Sequence, residues 1–340
     1  MTTENNQIVP TDVAVYACGG GGSNIVYSGF SGNKVRQEGF ATTHFAYVDT
    51  STRNFTKHGI PDKDTFSFEG KDGGGKKRDM NASSIRDELN KALKKFPPHL
   101  FNLVVHTAGG ASGSVIGPQL VKELKSRGLY VISIVIGTVD SIKEIDNTIK
   151  TLQSYDSLAE QCDSSCIVFY LENGKNGAEI KTINEIAKYV ISCLLALLSG
   201  QNAPTDTADL KHWIDYGKVT DATPQLASLS IVTKTEDMKD MEAVMSVATL
   251  SSEGLDNTIP IIPPYRTIGM IHTPVVTEGG SKKGLLQGSP IHFIIQEDKI
   301  HADIKELQKK LDGSKLINAS SMKRKRISDG VKSDDDGMVY

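Results

Sequence analysis

Short apolar runs with no polar face alternate with amphipathic segments along the first half of the chain. This alternation restricts the fold more than any other feature. Asp12 to Cys18 reads DVAVYAC, and comparable runs occupy His44 to Val48, Leu100 to His106, Tyr130 to Ile136 and Ile167 to Leu171. A strand apolar on both sides needs cover on both faces, as in a parallel sheet with helices above and below. Helical patterns fill the gaps: one from Ile25, then Ser83 to Phe96 (stopped by Pro97-Pro98), Val115 to Lys125 and Asp140 to Gln161. The expected fold is therefore α/β, a doubly wound and mostly parallel sheet. Such sheets bind ligands in a crevice at the carboxyl ends of their strands.

Glycine clusters fall at those ends. Gly19-Gly20-Gly21-Gly22-Ser23-Asn24 follows the first strand, and Ala108-Gly109-Gly110-Ala111-Ser112-Gly113-Ser114 follows the third. A further cluster, Gly73-Gly74-Gly75, stands among Lys71, Lys76, Lys77 and Arg78. Consecutive backbone N–H groups at a helix start make an anion site, and glycine lets the chain come close to phosphate oxygens. Two such loops at one sheet edge can hold successive phosphates of one nucleotide. There is no GxxxxGK[ST] pattern. The first loop also lacks the third glycine of GxGxxG, since Ile25 occupies that place, which disfavours a nicotinamide enzyme.

Beyond this region Glu179 to Gly200 reads as a helix that is apolar nearly all round from Val190 to Leu198, a spine buried on most sides. Strands are expected at Leu226 to Val232, Thr267 to Ile271 and Ile291 to Gln296, with helices at Glu236 to Thr249 and Asp298 to Leu311. These make a smaller α+β unit. The 340 residues allow more than one core. The division expected is a nucleotide-binding domain (1–178), a central helix (179–200), an acidic loop with a C-terminal activation domain (201–319) and an extended acidic tail (320–340). A net charge of −3 gives no sign of nucleic-acid binding, and no apolar run reaches membrane-spanning length. The four cysteines lack CxxC spacing, so Cys162 and Cys166 read as helix-end or core residues and no metal ligands are assigned. A reducing, cytoplasmic setting follows.

The segment TAGGASGS between strand and helix resembles the glycine-rich signature of the tubulin/FtsZ superfamily. The resemblance runs on through GGGGSN, Asp49-Thr50, Asp72 to Lys76, Asn173 after the strand IVFYL, the Glu179–Gly200 helix and Asp206-Thr207-Ala208-Asp209. Within the superfamily the chain is most similar to the tubulin-like proteins of large bacteriophages (the PhuZ group), through its SDDDGMVY end and the stretch Asn147 to Leu152. This resemblance implies a GTPase that binds GTP or GDP with Mg²⁺ and forms dynamic head-to-tail homopolymers. These filaments would position phage DNA or its compartment in the cytoplasm of the infected bacterium. It implies that Asp206 and Asp209 complete the active site of an adjacent subunit, and that Asn173 contacts guanine. It also implies that the tail, with Asp334 to Asp336, Met338 and Tyr340, contacts a neighbouring subunit.

Other readings stay open at several positions. Asp206 and Asp209, three apart, also suit a helix N-cap and first-turn acid. Asn173 in Glu-Asn-Gly also suits a turn. Glu144 and Asn147 could reach the ribose, and Asn184 is either a second base contact or plain surface. Lys76 and Arg78 either neutralise phosphate or are solvated. Ala111 and Ser112 stand where the signature has glycine and threonine, so position 111 must not need positive φ. A partitioning GTPase that works with a DNA-bound adaptor is the alternative function.

Overall fold

A computed structural model describes residues 11–31, 39–68, 78, 82–174, 179–271 and 288–323, with side chains as far as 318. The expected sites at Gly73, Gly74, Gly75 and Lys76, and the tail from residue 324, lie outside the described residues. The strands are β1 (Asp12–Cys18), β2 (Thr42–Asp49), β3 (Thr65–Ser67), β4 (Phe101–Thr107), β5 (Tyr130–Thr138), β6 (Cys166–Asn173), β7 (Leu226–Val232), β8 (Val244–Ser251), β9 (Tyr265–Met270) and β10 (Ile291–Gln296). They form one ten-stranded sheet in the order β3-β2-β1-β4-β5-β6-β7-β10-β8-β9. Only β10 runs against its neighbours. The later strands thus extend the first sheet at β6 and do not build a separate one.

Helices cover both faces. α1 (Gly19–Phe30), α6 (Ile180–Leu197) and α7 (Thr207–Ile214) lie on one side, and their core runs from Val13 and Ile134 through Leu194 to Trp213 and Phe293. α3 (Ala82–Lys95), α4 (Gly113–Ser126), α5 (Ile142–Gln161) and α8 (Lys299–Lys323) cover the other, packing Ile85, Leu120, Leu152 and Leu307 against Tyr16 and Val104. A short α2 (Arg53–His58) follows β2. The central helix has the expected burial, with Val190, Ile191 and Cys193 through Leu197 enclosed. Its last turn reaches the amino ends of the first strands: Thr11 N–H donates to Ser199 O at 2.9 Å and Ala41 N–H to Leu195 O at 2.9 Å.

Three expectations need correction. The helix expected over Glu236 to Thr249 is a 3₁₀ turn (Thr235–Met238) followed by β8. Glu, Met and Ala suggest a helix there, but the slot between β10 and β9 buries Ser246, Val247, Ala248, Thr249 and Leu250 on both faces. Tertiary pairing outweighs the few tenths of a kcal/mol per residue at stake in propensity, roughly. Secondly, α1 starts at Gly19 and not at Ile25, so the first glycine cluster is the helix's opening turn. Propensity opposes a glycine helix, and close backbone packing requires it. Thirdly, α8 continues past Leu311 to Lys323, and β9 begins two residues before Thr267.

Candidate nucleotide-binding site

The first turns of α1 and α4 lie side by side at the carboxyl ends of β1 and β4. A Cβ on Gly19 would stand 2.8 Å from the Gly113 backbone nitrogen, and Gly19 itself has φ +72°. A Cβ on Gly22 would stand 2.2 Å from Val105 O, so α1 rests directly on the β4 backbone. Neither helix start is capped by a side chain, and neither first turn carries an acid. By contrast, Ser141 caps α5 and Asp206 caps α7, each with an acid three residues on. Two adjacent uncapped helix starts present N–H groups and positive dipole ends to one point.

Side chains from three elements hold this edge. Asp49, at the end of β2 and almost wholly buried, accepts from Thr50 N–H and from Asn54 Nδ2, each at 2.7 Å. Burial raises its pKa, against the hydrogen bonds from Asn54, Thr50, Ser112 and Ser51. The Thr50 and Ser112 hydroxyls meet at 2.6 Å, joining the two loops. Ser114 donates to Ala111 O at 3.3 Å. Ala111 is not among the residues of positive φ, so its methyl group sits in ordinary backbone.

From below, α5 grips the second loop. Asn147 is fully buried and donates to Gly109 O at 2.9 Å, while Thr151 donates to Ala108 O at 3.2 Å. Asn147 therefore supports the second loop from beneath. Glu144 accepts from the Ser141 hydroxyl at 2.9 Å and is half-buried. Asn173 ends β6 opposite Thr138, which itself lies against Gly109, so it belongs to the same edge. Among the described residues its buried Oδ1 has no hydrogen-bond partner. Asn24 and Asn184 are half-buried on α1 and α6. Arg78 donates to Ser154 at 3.0 Å.

Sequence reasoning passed over Asn54, Thr138 and Thr151. The signal at Thr151 was present: Asn147, Thr148 and Thr151 put a polar patch at helical spacing within the buried face of α5.

The acidic pair lies elsewhere. Asp206 and Asp209 follow the far end of α6, at the amino ends of the strands and away from both glycine turns. Asp206 accepts from Ala208 and Asp209 N–H at 2.7 and 2.9 Å, and Asp209 Oδ2 accepts from Asp206 N–H at 3.1 Å, a complete capping box. Tyr265 donates to Asp209 Oδ1 at 3.1 Å. Burial first, then Asp209, pushes the Tyr265 phenol up to about 12, so it stays a donor. Trp213 anchors α7 through Nε1–H to Phe293 O at 3.2 Å. Asp206 remains exposed.

No family model matches the chain. Two relatives described as phage tubulin-like proteins do. One, from Pseudomonas phage PhiPA3, is 27% identical over 257 residues, 75% of this chain and 78% of that protein. The other, from Pseudomonas phage phiKZ, is 25% identical over 328 residues, 93% of this chain and 94% of that protein. The chain is similar to phage tubulin-like proteins. Solved structures agree on the tubulin/FtsZ fold. The phage tubulin PhuZ with GDP superposes with TM-score 0.80 at 22% identity, covering 97% of this chain and 100% of that one. The protofilament subunit of TubZ from bacteriophage PhiKZ gives 0.78 at 24% identity, covering 96% and 95%. A GTPγS-form protofilament of Bacillus thuringiensis TubZ gives 0.68 at 12% identity, covering 95% and 97%.

The residues at this edge fit a phosphate-bearing ligand. The cradle of α1 and α4 is one that a Cβ at Gly19 would obstruct, and among the described residues Asn173, on the same sheet edge, leaves an amide oxygen unpartnered. Among the described residues no helix is long and apolar enough to cross a membrane.

Beneath the cradle, His106 is wholly enclosed. Nδ1 lies 3.3 Å from Thr107 O and Nε2 lies 2.7 Å from the Tyr155 hydroxyl. A carbonyl only accepts, so Nδ1 carries the proton and Nε2 accepts from Tyr155. Burial brings its pKa down from 6.5 to about 4, and His292 is lowered to about 4 likewise. Between those values the unfolded chain binds the proton and the folded one does not. Stability is therefore full above pH 6.5 and falls as pH drops toward 4, by up to about 1.4 kcal/mol per unit and group. Urea midpoints measured from pH 7 to 4 should show this decline. His106→Gln should make this decline shallower by the share due to that residue.

Proposed function

We propose that this chain binds GTP and hydrolyses it at contacts between copies of itself, forming filaments that act in a phage-infected bacterium. One observation carries the reading. The uncapped glycine turns and the acidic pair, of which Asp206 is exposed, lie at opposite ends of one molecule, so a single chain cannot bring them together. A head-to-tail stack does so at every junction. The relatives support it: PhuZ was solved with GDP, and TubZ of phage PhiKZ and PhuZ201 as a protofilament and a filament.

In this reading residues 1–178 capture nucleotide. N–H groups of the α1 and α4 first turns, with the hydroxyls of Thr50, Ser112 and Ser114, bind and orient the phosphates. Asn173 recognises the guanine, and Asn184 and Glu144 flank the base and sugar. The 179–200 helix spans from this end to the other, and 201–319 presents Asp206 and Asp209 to the next copy. There a carboxylate accepts a hydrogen bond from the attacking water and holds it in line. Mg²⁺, when bound, neutralises charge on the phosphate oxygens. The tail, 320–340, strengthens the contact. The filament positions phage DNA or its compartment in the host cytoplasm. This is preferred to plasmid partition because the sequence relatives are phage proteins.

The turnover rate per subunit should rise steeply as protein concentration increases through the assembly threshold. A rate that stays flat on dilution sinks the shared site. GTP should bind and NAD should not.

A further inference from the structure

The end of the sheet remote from the glycine turns carries a second polar cluster. Asp12 opens β1, and His44 lies on β2, where Asp12 pairs with Thr42 and Ala14 with His44. Residues two apart on a strand share a face, so both side chains emerge on the side of Ala14. His99 arrives from the link between α3 and β4. Its backbone is fixed at both ends: His99 N–H donates to Asn102 Oδ1 at 3.1 Å, and Asn102 Nδ2 donates to His99 O at 2.7 Å. Asn102 is 1% exposed. A buried amide used to fix one exposed-loop histidine is a supporting contact of the kind that orients ligating groups.

The side chains converge. His44 Nε2 lies 2.7 Å from Asp12 Oδ1, the His44 and His99 rings stack with centroids 4.3 Å apart, and one ligating atom from each of the three residues lies within 4.8 Å of the others. A cleft of about 800 Å³ opens beside them, lined by Tyr16, Phe45, Lys95 and Phe96 as well as both histidines.

We propose that Asp12, His44 and His99 form a site for a divalent transition-metal ion of the Zn²⁺ class. Two imidazoles and one carboxylate are donors that such an ion prefers, whereas Mg²⁺ and Ca²⁺ favour oxygen alone. The fourth position faces the cleft, open to water or to a ligand bound there. Stacked rings do not aim two lone pairs at one ion, so loading turns one ring out of the stack. The site stands apart from the nucleotide cradle and does not depend on the GTPase reading.

The test is Zn²⁺ titration of the untagged, chelator-stripped full chain by calorimetry. One equivalent should bind, and excess Mg²⁺ should not compete. His44→Ala and His99→Ala should each weaken binding by roughly 100-fold or more, and Asp12→Asn by about tenfold, on the scale by which supporting groups alone alter affinity. Far-UV circular dichroism checks that these surface variants fold. Absence of binding overturns the proposal. So does unchanged affinity in the His44→Ala/His99→Ala double variant, which would place the ion elsewhere.

Discussion

Exchange of Gly19 for alanine is expected to reduce guanine-nucleotide affinity by about 100-fold or more, a loss of about 2.7 kcal/mol. Two effects combine. At φ +72° an L side chain is strained by about 1–2 kcal/mol. The new methyl group would also meet the backbone of Gly113 at 2.8 Å, where no flexible side chain can yield. The two helix starts must then part, and their N–H groups no longer converge. Gly59 separates the effects. It has φ +67° but open space around it, so Gly59→Ala should cost only about 1 kcal/mol of stability and leave nucleotide binding intact. Urea melts and titration with a fluorescent GTP analogue read both quantities. Wild-type affinity in Gly19→Ala would refute the cradle.

Asp206→Asn should lower hydrolysis by about 100-fold while preserving the fold. Asparagine caps helices as well as aspartate does, so α7 keeps its first turn and stability should move by less than about 0.5 kcal/mol. The carboxylate charge is lost, and with it the hold on the attacking water. Asp206→Ala should lose activity and about 1 kcal/mol of stability together. The comparison separates the capping role visible in the monomer from the proposed role at a junction. Mixing Asp206→Asn with Gly19→Ala chains should restore part of the activity, because acids of the second can serve loops of the first. If Asp206→Asn hydrolyses GTP at the wild-type rate, the pair is a helix cap and nothing more.

Much of the sheet was legible because strands buried on both faces leave a continuous apolar run. β1, β4, β5 and β6 stand within two residues of their expected limits. β3 was not legible, since three residues at an edge carry no period. β8 was misread because its residues favour a helix locally and become a strand only in the slot between β10 and β9. At the site, glycine and serine clusters announced the anion cradle. Asn54 was hidden, because its hold on Asp49 depends on where the short helix after β2 packs.

By itself the sequence determined a parallel α/β sheet with two glycine turns at one edge, because burial on both faces and the need for close backbone approach act residue by residue. Only the tertiary structure decided that those turns are adjacent helix starts, with Gly19 against Gly113. It alone also put the acidic pair at the opposite end and gathered Asp12, His44 and His99 across 87 positions of chain. These are long-range distances, set by how helices and strands pack, and no local pattern encodes them.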